Sequence, residues 1–238
     1  MNFAEYNVKD ANLEEILLAL KSLDTVEAVA LGGSRSTGAS DENSDYDIYV
    51  YCLEIPTGKT RENLLGKYCS IAEFGNHYWE SEDNTVMNNG IPVDIIYREV
   101  DRFGRYIDTV IKGGKAFNGY TTAFWHNIKN SKVLFDKTGT FTKFRDMAQI
   151  DFPENLRSAI IKNNRNLLNG KLPSYDRQIK KAQERGDIVS VNHRITAFLE
   201  SYFDVIFALN RQTHPGEKDR FSSAKSIAPS CQRILKKT

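Results

Sequence analysis

The sequence predicts an α+β protein, with a mixed sheet and flanking helices over residues 1–150 followed by an all-helical bundle over residues 151–238. Three observations carry this. Short apolar runs, Val26 to Leu31, Tyr46 to Leu53, Ile91 to Tyr97 and Ser131 to Phe135, alternate with stretches of helical period. After Pro153 the strand signals vanish and apolar residues recur at three- and four-residue intervals. A chain of 238 residues is long enough to bury such a core without disulfide or metal staples.

Asn12 is placed to cap a first helix whose apolar face is Leu13, Ile16, Leu17, Leu20 and Leu23. Val26 to Leu31 is apolar at nearly every position, as a strand covered on both faces must be. Gly32-Gly33-Ser34 turns the chain directly after it, and a second strand runs from Tyr46 to Leu53 until Pro56 and Gly58 break it. Arg61 to Phe74 reads as a helix with Leu64, Leu65, Tyr68 and Ile71 inward. His77 to Asn89 passes from aromatic to polar, with strand character at Thr85 to Met87. Asn89-Gly90 is a strong tight-turn signal and leads straight into the strand Ile91 to Tyr97. Arg98 to Asn118 looks helical as far as Gly113-Gly114. The strand Ser131 to Phe135 closes with the turn Asp136-Lys137-Thr138-Gly139, and a helix starts at Thr140.

Three further helices, Glu154 to Asn169, Ser174 to Glu184 and Ile188 to Asn210, are separated by Gly170 to Pro173 and by Gly186. In the third, Ile195, Phe198, Leu199, Tyr202, Phe203, Ile206 and Leu209 have the spacing of packed core. His214-Pro215-Gly216 ends it as a turn, and a more basic segment follows.

Composition narrows the function. Hydrophobic residues make up 40% and charged residues 26%, and no apolar run reaches the length of a membrane span. The N-terminus mixes acidic with apolar residues and lacks the pattern of a signal peptide, so a cytoplasmic protein is expected. Cys52, Cys69 and Cys231 have no metal-ligand spacing and are odd in number, which points to idle thiols. A formal net charge of +1 argues against a dedicated nucleic-acid binder.

The chemistry gathers between Leu31 and Tyr51. Asp45 and Asp47 are two positions apart at the start of a strand, so both carboxylates project from one face. Paired anionic oxygens are what a hard divalent cation takes as ligands. Asp94 is a third carboxylate, flanked by Val93 and Ile95, and costly to bury unless a metal or an ion pair compensates it. Gly33 and Ser34 offer close backbone approach and N–H groups suited to phosphate, with Arg35 a further cation. Each residue also has a plainer explanation. Asp45 and Asp47 would keep a turn and strand edge soluble, Ser34 would be a turn hydroxyl, and Arg35 would be solvated. Asp41 and Glu42 read as loop surface, and His77, His126, His193 and His214 form no pair with metal spacing.

Neither a P-loop nor a dinucleotide Gly-x-Gly-x-x-Gly is present. A Gly-Ser turn, an Asp-x-Asp pair and a third acidic residue on a later strand together resemble the DNA polymerase β-like nucleotidyltransferase superfamily. Gly33-Ser34, Asp45, Asp47 and Asp94 match that motif over roughly the first hundred residues. The helical part resembles the antibiotic nucleotidyltransferases that modify aminoglycosides or lincosamides, where a helical domain closes over the acceptor, and Val133 to Gly139 and Asn210 to Lys218 look similar to uncharacterised members of that group.

The resemblance implies a nucleotidyltransferase-type sheet, a catalytic domain over residues 1–150 and a helical domain over 151–238. It implies two Mg²⁺ ions held by Asp45, Asp47 and Asp94, and a nucleoside triphosphate such as ATP held by Gly33, Ser34 and Arg35. Asp94 would be metal ligand or general base, and Lys218 and Arg220 would reach the triphosphate. The acceptor would be a small hydroxylated molecule and the protein a monomer or homodimer. Two other readings stand beside this one: a protein-adenylylating, antitoxin-like enzyme, and a nucleotide-binding module without turnover.

Overall fold

The computed structural model describes residues 9–38, 44–170, 172–217 and 220–227. They form two compact units, residues 1–105 with 128–149 and residues 106–127 with 150–238. Asp41, Glu42, Lys218 and Cys231, with the side chain of Arg220, lie outside the described residues.

The first unit holds a six-stranded sheet of order β3-β4-β5-β2-β1-β6. Its strands are β1 (Val26–Leu31), β2 (Tyr46–Cys52), β3 (Cys69–Asn76), β4 (Ser81–Met87), β5 (Pro92–Glu99) and β6 (Lys132–Asp136). The pairing of β2 with β5 is parallel and the other four pairings are antiparallel. Period-two alternation divides the sheet into two faces. Val29, Leu31, Ile48, Val50, Val93 and Ile95 form one core with Leu13, Ile16, Leu17 and Leu20 of helix α1 (Ala11–Lys21). Burying each such side chain contributes about 1.5–3 kcal/mol. The opposite face carries Asp47, Tyr49 and Tyr51 on β2 beside Asp94, Ile96 and Arg98 on β5. At its far end Tyr51 packs edge-on against Phe103 and Phe141, both at 5.3 Å between ring centroids. Those rings come from α4 (Val100–Ile111) and α6 (Thr140–Ala148). Aromatic packing therefore fills one end of this face and acidic side chains occupy the other.

The remaining helices are α2 (Gly33–Thr37), α3 (Gly58–Leu65), α5 (Ala123–Asn130), α7 (Glu154–Arg165), α8 (Tyr175–Glu184), α9 (Ile188–Leu209) and α10 (Arg220–Ile227). In the second unit α7 and α8 pack on α9, and Phe203, Ile206 and Phe207 of α9 form a small core with Ala224. This is the predicted fold class, a mixed sheet with flanking helices and a helical C-terminal region. No helix among the described residues is long and apolar enough to cross a membrane.

Several local expectations are corrected. Asp10, not Asn12, caps α1, its Oδ1 accepting from the Asn12 and Leu13 amides at 3.0 and 3.3 Å. The Gly-Gly-Ser stretch opens a short helix rather than a simple turn. The helix expected over Arg61 to Phe74 stops at Leu65, and the chain then runs through a 3₁₀ turn, Gly66–Tyr68, into β3. Ile71, expected inward, is 66% exposed on that edge strand. Strand character at Thr85 to Met87 extends back to Ser81, while Arg98 and Glu99 finish β5 rather than start a helix. On α9 only part of the apolar spacing is core: Ile195, Leu199 and Leu209 are 40%, 39% and 44% exposed. α9 ends at Leu209, ahead of the turn expected at His214, and His214 is buried in irregular chain with its amide donating to Thr122 Oγ1 at 2.8 Å.

Candidate metal and nucleotide site

The parallel register sets Asp47 directly beside Asp94, and Asp45 lies one residue ahead of β2 on the same face. Ligand atoms of the three carboxylates lie within 4.8 Å of one another, and all three residues are half-buried. Val93 and Ile95 point to the other face, which is how an apolar strand carries an acid without placing it in the core.

The glycines are fixed by contact. Gly33 has φ +60°, and a Cβ there would stand 1.7 Å from Asp47 Oδ2. A Cβ on Gly32 would meet the Tyr49 ring at 2.2 Å, and the Gly32 amide donates to the Asp47 carbonyl at 2.8 Å. Backbone thus lies directly against the Asp47 carboxylate, with Ser34 next in α2. Arg35 of that helix is turned toward the chain entering β2. Its Nε and Nη2 donate to the Ser44 carbonyl at 2.8 and 2.5 Å, and its guanidinium lies 4.0 Å over the Tyr46 ring.

Around the triad stand residues that sequence reasoning missed. Asn84 faces Asp94 across β4 and β5, and its Nδ2 donates to Asp94 Oδ1 at 3.0 Å. A signal for it did exist. With the hairpin centred on Asn89, five residues back falls opposite five residues forward, which pairs Asn84 with Asp94. Glu82, two residues earlier, is buried, and burial followed by the nearby Asp94 charge raises its carboxyl pKa. Burial, with a lesser push from Asp47, moves the Tyr49 phenol up to about 12 against the opposing pull of Arg98. Arg98 stacks 4.3 Å over Tyr49 and is held by Glu80, through Nε at 2.9 Å and Nη2 at 2.8 Å.

The plainer explanation for Asp94, an ion pair, is not met: among the described residues no Lys or Arg lies within ion-pair distance of it. Its hydrogen-bond partner is the neutral amide of Asn84. Three converging carboxylates with no sulfur or imidazole among them fit a hard cation such as Mg²⁺.

Two family models match the chain. Residues 13–117 match the family model described as a nucleotidyltransferase domain, and residues 122–219 match one described as a domain of unknown function, DUF4037. Among solved structures the chain is similar to a nucleotidyltransferase-like protein from Exiguobacterium sibiricum, with TM-score 0.45 and 10% identity over 92% of this chain. It spans 62% of the length of that protein. It is also similar to spectinomycin adenyltransferase AAD(9) from Enterococcus faecialis, solved with ATP and spectinomycin (TM-score 0.37, 12% identity, 91% of this chain and 96% of that one). A third is the Thermotoga maritima CCA-adding enzyme complexed with tRNA (TM-score 0.31, 12% identity, 98% and 73%). No curated protein matches the chain. Residues 13–117, which carry the match to a nucleotidyltransferase domain, are also the stretch that contains the three aspartates and the Gly-Gly-Ser sequence.

Proposed function

We propose that the chain transfers a nucleoside monophosphate, AMP from ATP in the first instance, to a hydroxyl of a small acceptor, with pyrophosphate leaving. Aminoglycosides and lincosamides are the acceptors to try first. The observation that carries this reading is the convergence of Asp45, Asp47 and Asp94 within 4.8 Å, with the Gly33 backbone against Asp47.

Asp45, Asp47 and Asp94 would hold Mg²⁺, two ions in this reading. Bound there, Mg²⁺ supplies charge neutralisation for the triphosphate and Lewis-acid polarisation of the reacting phosphoryl group. The backbone amides of Gly33 and Ser34 and the Ser34 hydroxyl donate to the β- and γ-phosphate oxygens, and Gly33, having no Cβ, lets the chain approach them. Arg35 adds positive charge from the place where the Ser44 carbonyl fixes it. Asp94 either serves as a ligand or takes the proton of the attacking hydroxyl. The catalytic domain in this reading covers residues 1–150 and the helical domain 151–238, with residues 106–127 packing in the helical unit.

The test is incubation with α-labelled nucleoside triphosphates, Mg²⁺, an antibiotic panel and cell extract, followed by mass analysis. An acceptor heavier by one nucleotide is expected, and Asp47→Asn should cut its formation roughly a thousandfold. Full activity of Asp47→Asn, or transfer that persists in excess chelator, overturns the reading.

A further inference from the structure

Asp94 is oriented from outside the triad. A line of side-chain hydrogen bonds crosses three neighbouring strands: Asn76 Nδ2 donates to Glu73 Oε2 at 3.3 Å and to Asn84 Oδ1 at 2.9 Å. Asn84 Nδ2 in turn donates to Asp94 Oδ1 at 3.0 Å. The line has one possible direction. An ionised carboxylate only accepts, so Glu73 at one end and Asp94 at the other both require a donating NH₂. Flipping either amide would set oxygen against oxygen.

Backbone geometry supports the line. Asn84 is directly opposite Asp94 in the antiparallel ladder, where side chains on one face approach most closely. On the other side the register of β3 against β4 shifts between Glu73 and Asn76. The backbone of Asn76 therefore pairs with Glu82 while its amide reaches Asn84. With Oδ1 accepting from an amide, rotation of the Asp94 carboxylate about its stem is opposed, and Oδ2 is the oxygen without a side-chain donor among the described residues.

We propose that Asn84, itself steered by Asn76, is a positioning residue that makes Asp94 a one-oxygen ligand for the divalent cation. This rests on the reading of the triad as a metal site. Hydrogen bonds behind a metal ligand fix its orientation, and their loss weakens metal binding about 10- to 100-fold. A purely structural Asn84, knitting β4 to β5, would change unfolding and leave metal affinity alone.

The two are separated by titrating the full chain with Mn²⁺, without nucleotide or acceptor, and reading free Mn²⁺ by electron paramagnetic resonance beside the metal-free thermal midpoint. Asn84→Ala should weaken Mn²⁺ binding about tenfold at an unchanged midpoint. Asn76→Ala should weaken it less, and the double variant should be no worse than Asn84→Ala, since the two act in series. Asp47→Asn is the control for the site itself. If it binds Mn²⁺ like the wild type, or the wild type takes up none, the triad reading fails and this inference with it. If Asp47→Asn loses Mn²⁺ while Asn84→Ala and Asn76→Ala bind normally, the positioning role alone is overturned. Should Asn84→Ala not fold, Asn76→Ala leaves Asn84 in place and decides the question.

Discussion

Asp94 in the first unit and Asp204 in the second are both acids set into packed structure, and they are housed in opposite ways. Asp204 is 1% exposed and accepts from three neutral donors. These are the Thr121 amide at 3.1 Å, the Thr121 hydroxyl at 2.7 Å and Asn164 Nδ2 at 3.1 Å. Burial moves its pKa up to about 6, against those hydrogen bonds. Asp94 receives one amide bond and has two other aspartates within 4.8 Å. Elsewhere arginine faces two acids, buried Asp83 with Arg61 at 3.1 Å and half-buried Glu80 with Arg98 at 2.8 Å. Asp204 is enclosed by neutral donors, whereas Asp94 stands half-buried beside like charges with a single amide donor.

The sharpest way to break this contrast is to crowd the acidic site. Gly33→Ala puts a methyl group where Asp47 Oδ2 now is, at a backbone angle that suits glycine. Nucleotide transfer should fall roughly a hundredfold, as expected for displacement of a reacting group by about 1 Å. The urea midpoint should report a loss of only about 1–2 kcal/mol. Wild-type transfer by this variant would show that the close contact is not needed.

The enclosed site is tested by pH. The folded-state pKa of Asp204, about 6, lies above its ordinary value, so the folded protein holds that proton more tightly than the unfolded chain. Its stabilising contribution is therefore complete below about pH 4 and lost as pH rises through about 6. Asp204→Asn does not titrate there. Between about pH 4 and 7 the wild type should lose on the order of 3 kcal/mol relative to this variant, measured as the difference of their urea unfolding curves. A difference that does not vary with pH would mean that Asp204 is not the sealed acid described above.

The smallest effect concerns one donor. Thr121→Val removes the hydroxyl facing Asp204 and should cost about 1.5 kcal/mol, whereas Thr121→Ser keeps it and should stay within about 0.5 kcal/mol of the wild type. A loss in Thr121→Ser without one in Thr121→Val would assign the effect to packing of the methyl group, which valine keeps.

The same contrast shows why one region could be read from the sequence and the other could not. Gly33-Ser34, Asp45, Asp47 and Asp94 were legible because each carries a local rule: a turn glycine, period-two carboxylates, an acid among β-branched neighbours. Asp204 carries none, since its donor Thr121 comes from 83 positions away and α9 shows only an apolar spacing around it. β3 was missed because Leu64, Leu65, Tyr68 and Ile71 recur at helical intervals, and an edge strand with little core to face shows no alternation to contradict them. Asn84 lay within reach through the Asn89-Gly90 turn, but a polar residue on a polar strand draws no notice until its partner is known.

The parallel pairing of β2 with β5 has a consequence for how this protein can fail. Asp47 and Asp94 face one another because these two strands, separated by a helix and a hairpin, meet in one register. A slip of a single residue would turn Asp94 into the apolar layer and bring Val93 or Ile95 out beside Asp47. Such a chain would keep its secondary structure, yet expose the apolar face of β5 and lose the meeting of its acids. Under the proposed function, divalent-metal affinity is thus an assay of correct topology, able to tell a native sheet from a misfolded one that circular dichroism would pass as the same.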